Sequence, residues 1–111
     1  MRTCGTMILT GMLLSLGGAV GAATQPAAAA EHTVVIENMQ FNPPQLTVHR
    51  GDRIVWVNKD LFPHTASAVD QAFDSGSIAV GASWTYVART SGAFAYGCTF
   101  HPTMKGMLKV Q

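Results

Sequence analysis

The sequence predicts an all-β domain: a small antiparallel Greek-key β-sandwich or barrel, placed behind an amino-terminal export signal. Three observations carry that expectation. Short runs alternate with period two, β-branched and aromatic residues concentrate in those runs, and Gly, Pro and Asn punctuate them at regular intervals. Several short strands at such spacing fit a sandwich or barrel.

The chain of 111 residues has room for one domain. Residues 1–30 read as a secretory signal peptide. Arg2 supplies the positive start, residues 7–20 form an uncharged apolar run, and small residues come after it. Ala-x-Ala-like cleavage sites end at Ala23 and again between Ala27 and Ala30. The apolar run is shorter than the ~20 residues a spanning helix needs, and Gln25 and Pro26 break the segment beyond it. No stable membrane insertion is therefore expected. Cys4 precedes the apolar run instead of closing it, which argues against a lipid-anchored leader. The expected domain is 31–111, and its expected location is the periplasm.

Within that domain the strand signals come in order. Thr33-Val-Val-Ile-Glu37 and Gln45-Leu-Thr-Val-His49 alternate, with Asn42-Pro43-Pro44 as the turn between them. Arg50-Gly51-Asp52 comes next, and its length suits a tight hairpin into Arg53-Ile-Val-Trp-Val-Asn58. A weaker strand signal starts at His64 and runs through Ala68 and Val69. Ser83-Trp-Thr-Tyr-Val87, Ala93-Phe-Ala-Tyr-Gly97 and Met107-Leu-Lys-Val110 complete the set. No long amphipathic helix, internal repeat or low-complexity linker is visible.

Charge excludes some partners. The net charge is +1, and from Glu31 onward six Lys and Arg balance six Asp and Glu. No basic patch points to nucleic acid. Cysteine usage is more telling. Cys4 leaves with the signal peptide, so the mature chain keeps Cys98 alone. A lone thiol in an oxidising compartment is liable to oxidation, and metal ligation is one reason to keep it.

The carboxy-terminal segment reads Tyr96-Gly-Cys98-Thr-Phe-His101-Pro-Thr-Met104-Lys-Gly106. A thiolate, an imidazole and a thioether within seven residues let one loop wrap three ligands around one ion. His64, in Leu61-Phe-Pro-His-Thr65, lies in a loop leaving the Trp56 strand and supplies a second imidazole if the two strands are neighbours. Two histidines and a thiolate with a weak axial Met form the blue-copper arrangement. Soft sulfur ligands favour Cu(I), while imidazole also suits Cu(II). The expected metal ligands are His64, Cys98, His101 and Met104, holding one Cu(I)/Cu(II) ion. Zinc also accepts one cysteine and two histidines, but Met104 argues for the softer ion.

These segments resemble the cupredoxins and, within them, the amicyanin-like proteins. The resemblance runs from about Val34 to Val110. It includes Met39-x-Phe41-x-Pro43, Gly51-Asp-Arg-Ile-Val-Trp-Val-Asn58, Pro63-His64 and the compact Cys98–Met104 loop. It implies that Asn58 ties the His64 loop to the Cys98 loop through Thr99. Phe100 departs from the pattern, since amicyanin-like loops carry Pro directly before the ligand His.

A one-electron carrier in the periplasm is the expected function, with copper storage, delivery or resistance as the alternative. No enzyme is expected: no His-x-His pair marks a second copper set, and no third group orients a Cys–His nucleophile. The expected partners are transient redox proteins docking near His101, where Phe62, Pro63, Phe100, Pro102 and Met104 supply an apolar surface. The chain is expected to be a monomer. His49 reads as a solvated strand end. His32 would matter only after cleavage behind Ala29, when Ala-Glu-His becomes an amino-terminal sequence able to chelate Cu(II).

Overall fold

The computed structural model describes Gly5, residues 11–18, Gly21 and residues 28–111. Most of the expected leader, Cys4 included, lies outside these residues. Among the described residues there are eight strands and no helix, and none is therefore long and apolar enough to cross a membrane. The strands are β1 (Glu31–Glu37), β2 (Gln40–Asn42), β3 (Gln45–Val48), β4 (Arg53–Asn58), β5 (Ser67–Ala68), β6 (Ser83–Val87), β7 (Gly92–Gly97) and β8 (Lys105–Val110).

They form two four-stranded sheets, ordered β2-β1-β4-β6 and β3-β8-β7-β5. The expected sandwich is what folds, but strand sense is mixed. β1 runs parallel to β4 and β3 parallel to β8, while the other pairs are antiparallel. The hairpin expected at Arg50-Gly51-Asp52 does not form. β4 already has β1 and β6 on its two edges, so β3 pairs with β8 in the other sheet. The turn itself is closed locally: the Asp52 amide donates to the His49 carbonyl at 3.0 Å, and the His49 amide donates to Asp52 Oδ2 at 2.9 Å.

β2 is the strand that sequence reasoning passed over. Three residues are too few to show a period, and they pair with β1 across a two-residue turn at Asn38 and Met39. Both turn residues have positive φ, 52° and 59°, the requirement of a type I′ hairpin. Met39 is an unusual residue there. Its amide donates to Asp60 Oδ2 at 3.0 Å, which holds the turn against the body of the domain.

The core sits between the sheets. Period two turns Val34 and Ile36 of β1 and Ile54 and Trp56 of β4 inward, to meet Phe94 and Tyr96 of β7 and Leu108 and Val110 of β8. Trp56 is at the centre, 5.5 Å from Tyr96 edge-on, 5.6 Å from Phe73 and 5.5 Å from Trp84. Truncating a buried Trp costs roughly 3–5 kcal/mol, a large part of the about 5–15 kcal/mol that holds a domain together. This cluster therefore dominates stability. Burial pushes the Tyr96 phenol up to about 12, so it packs as a neutral ring.

The same phase continues past each strand. Asn58 is the next inward position after Trp56, and Cys98 the next after Tyr96. Both arrive at one end of the sandwich. Gly106 makes that end possible, because a Cβ there would collide with the Tyr96 ring. Replacing Gly106 by Ala should destabilise the domain by about 1–3 kcal/mol, read from urea unfolding. An unchanged midpoint would mean that Tyr96 does not press on β8.

Candidate metal centre

Two loops build the cluster. The first, residues 59–66, leaves β4 and crosses to the opposite sheet, where β5 pairs with β7 as Ser67↔Gly97 and Ala68↔Tyr96. That register sets His64 and Thr65 beside Cys98. The second loop, residues 98–104, joins β7 to β8.

His64 is fully buried and held on both sides of its backbone by Ile78, with His64 N–H to Ile78 O at 3.2 Å and Ile78 N–H to His64 O at 2.7 Å. Its Nε2 lies 2.8 Å from Asp60 Oδ2. A carboxylate only accepts, so Nε2 carries the proton and Nδ1 keeps a free lone pair. That lone pair faces the Cys98 sulfur at 3.6 Å and His101 Nδ1 at 3.1 Å, and His101 Nδ1 is 3.7 Å from the same sulfur. The point equidistant from these three atoms lies about 2 Å from each, within the reach of a metal to imidazole nitrogen or thiolate sulfur. His64, Cys98 and His101 form the metal-type cluster among the described residues.

The donor set also speaks for copper. One thiolate with two imidazoles suits an ion that alternates between a soft and a borderline state. Cys98 is buried and accepts the Thr65 amide N–H at 3.3 Å, a contact that steadies negative charge on sulfur. His101 is half-buried, the most accessible of the three.

Met104 is 2% exposed and closes its loop through the backbone. Its amide donates to the His101 carbonyl at 2.9 Å, and its carbonyl accepts the Cys98 amide at 3.3 Å. Gly97 allows this return, since a Cβ there would come 2.8 Å from the Met104 oxygen.

The expected tie from Asn58 to Thr99 is not present. Asn58 Nδ2 donates to the Phe62 and Ile78 carbonyls at 2.8 and 2.9 Å, and its Oδ1 accepts the Asp60 amide at 3.0 Å. It therefore braces the His64 loop from within. All its polar atoms are engaged beneath the loop, leaving none for the other side of the site. The link between loops is made by Thr65, whose Oγ1 accepts the Thr99 amide at 2.8 Å and bonds Thr99 Oγ1 at 3.1 Å.

Asp60 is the site residue that sequence reasoning missed. Its Oδ1 accepts the Leu61 amide, and its Oδ2 accepts both Met39 N–H and His64 Nε2–H. Its carboxyl is held below the usual carboxylate range, first by the Leu61 amide, then by the Met39 amide, with His64 adding less. The only signal in sequence was an acidic residue four positions before His64.

Comparison with known proteins agrees with this geometry. The family described as Cupredoxin-like domain matches residues 7–110. Amicyanin of Paracoccus versutus is 30% identical over 97 residues, covering 83% of this chain and 72% of the relative. Plastocyanin of a Synechococcus species is 30% identical over 112 residues, covering 81% of each. Among solved structures, the purple cupredoxin of Nitrosopumilus maritimus superposes with a TM-score of 0.68 at 26% identity, over 72% of this chain and 99% of that one. The Cu(I) form of an amicyanin variant gives 0.69 at 27% identity, over 76% and 85%. The chain belongs to the cupredoxin-like family, and copper is the metal that its cluster of His64, Cys98 and His101 fits.

Proposed function

We propose that this chain is a type 1 blue-copper protein that carries single electrons in the periplasm, and that it is not an enzyme. The observation that supports the reading most is the convergence of His64 Nδ1, Cys98 Sγ and His101 Nδ1 at 3.1–3.7 Å from one another, with only His101 reaching the surface. His64, Cys98 and His101 would hold the ion, with Met104 as a further, weaker sulfur ligand. The bound copper supplies a one-electron Cu(II)/Cu(I) couple.

The protein's part is to hold the ligands still and keep water out. Asp60 fixes the His64 ring and its tautomer. The Thr65 amide steadies the Cys98 thiolate, and the Thr65–Thr99 bonds lock one ligand loop against the other. A frame on two sheets resists the rearrangement that a change of oxidation state would otherwise impose.

Electrons enter and leave through the His101 edge. Phe62 and Phe100 are each half-exposed around it, and the Phe62 ring lies 6.3 Å from the His101 ring. Leu61, next to Phe62 in the chain, is exposed as well. Such a small apolar face suits a brief redox encounter, a class that buries little area, and it serves a monomeric carrier.

Copper titrated into the purified protein should give an intense blue Cu(II) form, bleached by a reductant and restored by an oxidant. A colourless Cu(II) form would exclude the thiolate site, and colour without reversible bleaching would favour storage or delivery. Replacing Cys98 by Ala should abolish the band. The Met104→Gln variant should keep copper and show a lower reduction potential by voltammetry, because a harder ligand at this position would favour Cu(II); an unchanged potential would remove Met104 from the ligand set. The Asp60→Asn variant must set an amide N–H against one of three donors. Its copper affinity should fall about 10–100-fold in chelator competition, with the circular dichroism of the fold retained.

A further inference from the structure

The end of the sandwich opposite the metal cluster holds a second buried carboxylate. Asp52 is 4% exposed. Its Oδ1 accepts the Ala30 backbone N–H at 3.0 Å, and its Oδ2 accepts the His49 amide at 2.9 Å and lies 3.0 Å from His32 Nε2. The His49 amide first, then His32 and the Ala30 amide, hold its carboxyl down at about 2, so it is ionised throughout the neutral range. Among the described residues its only ion-pair partner is His32. No Lys or Arg side chain pairs with this buried carboxylate among the described residues.

Ala30 is bonded through both of its backbone groups. Its N–H is on Asp52, and its carbonyl accepts the Arg53 amide at 2.9 Å, one step before the β1–β4 ladder starts with Glu31↔Arg53. Residues 27–30 are all alanine, so an Ala-x-Ala cleavage motif can end at Ala29 or at Ala30, besides the earlier one at Ala23. Cutting behind Ala30 would remove a residue whose donor and acceptor are both in use. Cutting behind Ala23 would leave the Ala30 nitrogen a neutral amide. Cutting behind Ala29 keeps the carbonyl for Arg53 and turns that nitrogen into a cation at hydrogen-bond distance from Asp52.

We propose that the chain is processed between Ala29 and Ala30, and that the α-ammonium group so created on Ala30 forms an ion pair with Asp52 that locks β1 against β4. The inference rests on the export reading and not on the copper site. A signal peptidase adds water across the Ala29–Ala30 amide, leaving a carboxylate on Ala29 and an ammonium on Ala30. The new terminus reads Ala30-Glu31-His32, whose amine, backbone amides and imidazole are able to wrap Cu(II). In the fold, Asp52 accepts from the Ala30 nitrogen and lies against the His32 ring, while Glu31 and His32 are held in the β1–β4 ladder. Folding therefore conceals this second chelating sequence.

The test is to express the full chain with its own leader, recover it from the periplasmic fraction, and determine intact mass and amino-terminal sequence. A product spanning 30–111 is expected. A product starting at Glu31 or Thr24 would overturn the processing site while sparing export, whereas an uncut chain would overturn both. Adding one residue back before Ala30 moves the ammonium away from Asp52. That extension should lower Tm by about 2–6 °C, and should have little effect in the Asp52→Asn background. An equal drop in both backgrounds would overturn the ion pair.

Discussion

The metal cluster depends on one constraint: the loop between β4 and β5 must cross from one sheet to the other without slack. His64 comes from this loop and Cys98 from the opposite sheet, so any drift of the crossing moves a nitrogen relative to a sulfur. Asn58 and Asp60 remove that freedom from below. Asn58 is the last inward residue of β4, and its amide group clamps both the Phe62 carbonyl ahead of His64 and the Ile78 carbonyl that faces it. Asp60 then ties the His64 ring to the hairpin turn at Met39. The second sheet answers through Thr65 and Thr99.

The two ends of the domain use a carboxylate in the same structural way with different consequences. Asp60 gathers two backbone amides and a histidine at the cluster, and Asp52 gathers two backbone amides and a histidine at the far end. In each case the amides do more than the histidine to keep the group ionised. At Asp60 the retained charge sets the tautomer of His64. At Asp52 it stitches the start of β1 to the turn before β4. Parallel pairing of β1 with β4 has no hairpin to hold its ends together, so such a stitch is needed where the chain enters the sheet.

Exposure differs across the cluster. His64 and Cys98 are buried, as is Met104 at the end of the same loop, while His101 reaches the surface beside Phe62 and Phe100. Phe100, the residue that departs from the amicyanin-like loop, is 52% exposed and stands beside the accessible ligand. Its side chain therefore adds to the exposed surface more than to the core, and His64, Cys98 and His101 still converge.

Much of this was legible in the chain. Period two located β1, β3, β4, β6, β7 and β8 to within a residue or two, and extending that phase beyond Tyr96 predicts the inward turn of Cys98. The spacing of Cys98, His101 and Met104 marked one loop as a metal loop because its three donors are local. Pairing was not legible, because period two reports which face is buried and not which edge is occupied. The supposed hairpin at Gly51 and the mixed strand sense both stem from that gap, and β2 was too short to carry a period. Asp60 was hidden for a related reason. A carboxylate before a histidine has no distinctive pattern, and only the folded loop brings it to Nε2 while Met39 arrives from another strand. The sequence by itself thus determined the strand faces and the closeness of Cys98 and His101 on one loop. Tertiary structure decided the partners, since hydrogen bonds across sheets and the tautomer of a buried imidazole depend on atoms that are distant in the chain.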